Sequence, residues 1–119
     1  MKFRKTLALA FVATALLTST SLQAAKSKTQ DLLVPYAGTI AGTHIAGGQY
    51  RVKCETIGTS AKLTFMLDRK VVATVEGRVV NRGEQHSINE VVYQKKPDGS
   101  RYVQEIRFAH PNEVIVFND

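Results

Sequence analysis

From Tyr50 onward the chain alternates. Tyr50, Val52 and Cys54 are interleaved with Arg51, Lys53 and Glu55, and Leu63, Phe65 and Leu67 with Thr64 and Met66. Side chains two residues apart share a face of a β-strand but not of a helix. A run of this kind therefore predicts a strand with one face in a core. A one-residue slip of Tyr50–Glu55 would bury three charges, which pins the register and points Cys54 inward. The pattern recurs in Val71–Val80, where Val71, Ala73, Val75 and Val79 share a parity, and again in 88–95, 101–109 and 113–117.

Chain-breaking residues fall between these runs. Gly47-Gly48 precedes Tyr50, Gly58-Thr59-Ser60 follows Ile57, and Asp68-Arg69-Lys70 separates two runs closely enough for a hairpin. In Pro97-Asp98-Gly99-Ser100, proline sets φ near −65° and glycine accepts the positive φ that closes a bulged hairpin. Asn81-Arg82-Gly83-Glu84 and His110-Pro111-Asn112 supply the other turns. No stretch after residue 30 keeps a helical period. The expectation is an all-β fold: an antiparallel β-sandwich, or a small barrel, of about seven strands.

The first residues follow another logic. Met1-Lys2-Phe3-Arg4-Lys5 is basic, Leu7 to Leu17 is an uncharged, mostly apolar run of eleven, and Ser21-Leu22-Gln23-Ala24-Ala25 ends in small residues. This order is that of a secretory signal peptide, and the run falls short of the roughly 20 residues a membrane helix needs. The organisation expected is a signal peptide over 1–24, a flexible arm over 25–34, where Leu32 to Val34 lead into Pro35, and one β-domain over 35–119. Export to the periplasm or the exterior follows, with no membrane span after cleavage. Of 16 Lys and Arg, Lys2, Arg4 and Lys5 leave with the signal, so 13 face 10 acids and the net charge falls from +6 to +3. Cys54 is the only cysteine, so the internal disulfides that brace many small exported domains are excluded. A buried, reduced thiol is expected in their place.

The segment Gly42-Thr43-His44-Ile45-Ala46-Gly47-Gly48-Gln49-Tyr50-Arg51-Val52 is similar to the hairpin lead-in of small uncharacterised secreted bacterial β-domain proteins. Their pattern runs Gly-Thr, two variable residues, Pro-Ala-Gly, a variable residue, Tyr, a variable residue, Val. With Val71–Val75 and Glu105-Ile106-Arg107-Phe108, the resemblance covers about residues 37–117. It departs where Ile45 or Ala46 stands for the proline and where Gly48 is extra. It implies a β-domain and carries no function.

Residues able to do chemistry are scattered. His44, His86 and His110 fall at no spacing that sets two imidazoles on one strand face, and Glu84 with His86 supplies only two of the three or four ligands zinc takes. All read as solvated loop residues, and no metal or cofactor is expected. Ser60, Ser87 and Ser100 sit in turns or at strand starts, which suits serine without catalysis. Glu55, Glu76 and Glu105 each have a basic residue two positions away (Lys53, Arg78, Arg107), as on a solvated strand face with cross-strand pairs. No catalytic residue is assigned. The basic residues are interleaved with acids and lack an aromatic-lined groove, against nucleic-acid binding. Tyr36, Tyr93 and Tyr102 could supply part of a sugar platform. Gly38, Gly42, Gly47 and Gly48 precede no helix, so they form no phosphate loop.

The reading is an exported, non-catalytic β-domain that binds or packs against an unknown protein or envelope partner. Strand addition at an open edge is the expected route, with the C-terminal strand as the candidate edge. A small-ligand carrier with an apolar mouth near Gly42–Gly48 comes second, and a small hydrolase third.

Overall fold

A computed structural model describes residues 25–118, so the signal-peptide segment 1–24 lies outside the described residues. The described chain is all-β. Its strands are β1 (Lys26–Val34), β2 (Gly38–Ile40), β3 (Thr43–Ile45), β4 (Gly48–Ile57), β5 (Ser60–Leu67), β6 (Lys70–Val80), β7 (Glu90–Lys95), β8 (Arg101–Phe108) and β9 (Glu113–Val116). They form one mixed sheet in the order β1-β4-β5-β6-β9-β8-β2-β3, with β7 on β8. The expected count of about seven was low because β1 was read as an arm and because β2 and β3 have three residues each, too few to show alternation.

Three other expectations are corrected. The flexible arm is strand β1, paired with β4 from Lys26↔Thr56 to Val34↔Gly48. Its polar run conceals an alternation that buries only Leu32 and Val34. The C-terminal strand is not an edge: β9 lies between β6 and β8. The sheet is not purely antiparallel, because β2 meets β8 in parallel at Thr39↔Tyr102. Gly38 permits that approach; a Cβ there would stand 2.8 Å from the Arg101 carbonyl oxygen.

Two-residue loops close three hairpins, the second and third at predicted breakers. Ala41-Gly42 joins β2 to β3, Gly58-Thr59 joins β4 to β5, and Asp68-Arg69 joins β5 to β6. Asp68 and Arg69 both take positive φ (50° and 67°), the conformation of a primed turn that matches strand twist. At the β7–β8 hairpin Gly99 has φ 92°, and its N–H donates to the Lys96 carbonyl at 2.8 Å.

The inward face carries cross-strand rows: Val52 beside Phe65 beside Ala73, and Cys54 beside Leu63 beside Val75. All six are buried. Phe108, Ile106, Ile115 and Phe117 complete the core from β8, β9 and the residue after it. The outer strands β1 and β7 approach each other, and side chains bridge the seam. Asn89 Nδ2 donates to the Asp31 carbonyl and to Gln30 Oε1, both at 3.1 Å. Tyr93 Oη donates to the Tyr36 carbonyl at 2.8 Å and accepts the Tyr36 N–H at 3.1 Å.

Candidate functional site

Between Phe65 and Met66 the β5–β6 register shifts, so that Phe65 opposes Ala73 while Met66 opposes Val71. Val72 is the extra residue of this bulge. Val71 and Val72 are consequently 60% and 48% exposed, although parity alone placed Val71 with buried Ala73 and Val75. Leu67, beside the turn, is also exposed. Three large aliphatic side chains thus face water around one hairpin tip.

A surface cleft of about 510 Å³ opens beside this tip, lined by Asp31, Gln49, Tyr50, Arg51, Met66, Leu67, Asp68 and Arg69. Tyr50 is held from two sides. Its ring meets Phe65 edge-on at 5.8 Å, and its hydroxyl donates to the Ala46 carbonyl at 2.6 Å. Met66 lies opposite Arg51 in the ladder, and Arg51 reaches Asp31 at 3.2 Å. Both charged side chains of that pair are more than half exposed, so water screens it and it holds Arg51 weakly. The lining thus combines Tyr50, Met66 and Leu67 with two guanidinium groups and two carboxylates.

The other candidates are distributed as follows. Cys54 is buried and without a disulfide, as expected; desolvation, then the charges of Glu113 and Glu55, push its thiol up to about 11. Such a thiol is a poor nucleophile at neutral pH. Ser100 belongs to the β7–β8 turn, where its N–H and hydroxyl donate to Asp98 Oδ1 at 2.9 and 2.7 Å; these bonds lower the Asp98 pKa. Glu55 and Glu76 flank Lys62 in one cross-strand row, the solvated charged face predicted for them.

Glu105 departs from that prediction. It is buried, with Arg82 Nη1 at 2.7 and 2.8 Å from its two oxygens and Arg107 Nε at 2.7 Å. Arg107 also reaches Glu90 at 3.3 Å. Burial alone would raise the Glu105 pKa, but the hydrogen bonds from Arg107 and Arg82 outweigh it and the net shift is downward. Every oxygen of this carboxylate is occupied by an arginine, the arrangement of a structural clasp.

The three tyrosines do not make one platform. Tyr36 stacks edge-on against Tyr93 at 5.7 Å, with the Arg101 guanidinium 4.5 Å above Tyr36. Tyr102 pairs with Gln94 and Tyr93 with Val103, so Tyr93 and Tyr102 leave the ladder on opposite sides. His44 lies in β3, whereas His86 and His110 line one cleft together. No group of three His, Cys, Asp or Glu suited to a metal occurs among the described residues. The sequence signal that marks the apolar cleft is the failure of alternation around Asp68-Arg69, where Met66 and Val72 are apolar on the outward parity. No family model, curated protein or solved structure matches the chain.

Proposed function

We propose that the chain is an exported, non-catalytic β-domain that docks an envelope or extracellular protein at the cleft between β4 and the β5–β6 turn. The observation that carries this reading is the exposure of Leu67, Val71 and Val72 at the hairpin tip beside a cleft whose lining includes Tyr50, Met66 and Leu67. Large apolar side chains left exposed near polar groups are a feature of interaction sites. Arg51 and Arg69 stand there with Asp31 and Asp68, a balanced polar surround that suits a partner segment inserting an apolar side chain between polar groups. Docking by strand addition at the C-terminal strand is withdrawn, since β9 is paired on both sides. Export rests on the basic, apolar and small-residue order of residues 1–25. No helix among the described residues is long and apolar enough to cross a membrane.

A photo-crosslinking residue at Val71, compared with one at Lys62 in the charged row, tests the docking site in the producing cell. A discrete adduct at position 71, lost on Leu67→Asp and absent from position 62, is the expected result. Equal capture at both positions, or none, contradicts it. Intact mass of the exported species tests cleavage, and recovery of uncut Met1–Asp119 outside the cytoplasm contradicts the signal assignment.

The small-ligand carrier keeps one specific support: the cleft volume falls within the roughly 300–1,000 Å³ common for ligand sites. A thermal-shift screen with lipids and sugars separates the two readings. A rise in Tm with one compound, abolished by Leu67→Arg and without a crosslinked partner, assigns carriage.

A further inference from the structure

Strand β7 is held unlike the rest of the sheet. From β1 through β4, β5, β6, β9 and β8 to β7, each strand runs antiparallel to the one before it. Six such reversals leave β1 and β7 pointing the same way, and no ladder joins the two among the described residues. β7 therefore has backbone pairing on one side only, to β8, and that ladder is interrupted between Val92 and Tyr93. Among the described strands β7 alone has no buried residue. Val91 and Tyr93 are its part-buried contribution to the core cluster that contains Leu32 and Val34.

Two side chains stand where a β1–β7 ladder would be. Asn89, the residue before β7, donates to Gln30 Oε1 and to the Asp31 carbonyl. The Tyr93 hydroxyl takes both the N–H and the carbonyl of Tyr36. Both Tyr93 bonds and the Asn89–Asp31 bond are exposed, so water competes for each of them. The two anchors are not equivalent. Asn89 is tied a third time, its Oδ1 accepting the Ala109 N–H at 2.8 Å in a part-buried bond. That end of β7 is fixed to the body of the fold, while the Tyr93 end lies beyond the bulge. Segments with few buried contacts and solvent-exposed hydrogen bonds are those that open below the global unfolding free energy.

We infer that β7 is a hinged flap, with Asn89 as its hinge and the Tyr93 hydroxyl as its latch, that opens from β1 and β8 while β1, β4, β5 and β6 stay folded. Opening bares the edge of β8 that β7 covers and withdraws Val91 and Tyr93 from the core.

Native-state hydrogen exchange of the full chain, read amide by amide by NMR at a series of low denaturant concentrations, tests this. The β7 amides should exchange through an opening that denaturant barely accelerates, and those of β4 and β5 through global unfolding. Val52→Ala weakens the core away from the flap; it should speed exchange in β4 and β5 and leave β7 unchanged. Tyr93→Phe keeps the ring and removes both latch bonds, so β7 exchange should rise about tenfold. Tyr102→Phe removes a hydroxyl from the opposite side of the same ladder and should leave β7 at the wild-type rate. If β7 shares the denaturant dependence of β4 and β5, or accelerates with them in Val52→Ala, there is no flap. Exchange in Tyr93→Phe no faster than in wild type, or equalled by Tyr102→Phe, overturns the latch.

Discussion

The β4–β5 ladder and the β7–β8 ladder are built from similar residues and behave differently. In β4 the buried positions Tyr50, Val52, Cys54 and Thr56 fall on every second residue without interruption. In β8, Val103 is buried, Gln104 is not, and Glu105 and Ile106 are buried in succession. The cause is a register shift between Val92 and Tyr93 that leaves Gln104 as the extra residue opposite β7. One inserted residue reverses which face each later side chain takes. The regular ladder is held by hydrocarbon alone, while the bulged one keeps Val103, Ile106 and Phe108 in the core and adds an ionic clasp around Glu105.

Four substitutions can break or sharpen this contrast. The largest effect belongs to the regular ladder: Phe65→Ala should lower unfolding stability by about 3–5 kcal/mol, since a fully buried ring leaves a cavity among neighbours that cannot collapse. Urea denaturation measures it, and a loss below about 1 kcal/mol would mean the rows are not close-packed. Next comes Gly77→Ala. Its Cβ would meet Ile115 Cγ2, Phe117 Cε1 and the Val116 carbonyl oxygen, each at 2.8 Å. Overpacking of this kind costs about 1–3 kcal/mol, visible as a lowered urea midpoint.

Glu105→Gln tests the bulged side, with an expected loss of about 1–2 kcal/mol at neutral pH. Its pH dependence is the sharper measurement. Because the folded Glu105 pKa is lowered, the carboxylate stabilises the fold above the ordinary glutamate range, and that contribution disappears as pH falls through the folded value. Wild type should therefore lose stability in acid more steeply than Glu105→Gln. Parallel acid limbs would show that the arginines hold the carboxylate no better than water does.

The smallest effect is expected at Cys54→Ala, about 1 kcal/mol for a small buried side chain. The thiol should resist labelling in the native protein and react once unfolded. With the folded pKa raised to about 11, its contribution is complete below the ordinary thiol value and is lost as pH rises from there through 11. The alanine variant should have the shallower alkaline limb. Rapid native labelling would mean that β4 turns its other face inward.

The sequence was most legible where period and chemistry agreed. The all-β class, the inward face of Cys54 and the Pro97–Ser100 hairpin follow from residues that admit one arrangement. β1 was not legible because Lys26 to Asp31 offer no apolar signal; only pairing with β4 makes them a strand. Burial of Glu105 was hidden for another reason. Parity counting assumes an unbroken ladder, and nothing in Val92-Tyr93 or Gln104 announces the bulge. The meeting of His86 and His110 is a tertiary fact, made by Asn112 across the gap between the 81–89 connection and the last turn. The apolar cleft was partly legible, since Met66 and Val72 violate the alternation around them.

Strand β9 carries a consequence for the order in which the molecule assembles. Strands β1, β4, β5 and β6 pair among themselves from residues 26–80, while β2, β3, β7 and β8 form a second group. Along the ladder the two groups are joined through Glu113–Val116, a strand of four residues that follows all the others in sequence. A nascent chain can therefore build both halves and still have no continuous sheet. Until Glu113–Val116 pair, the far side of β6 stands open as a template for a neighbouring molecule. Deleting Glu113–Val116 should divide the sheet into two parts, each with an unsealed rim, and make the chain prone to aggregate.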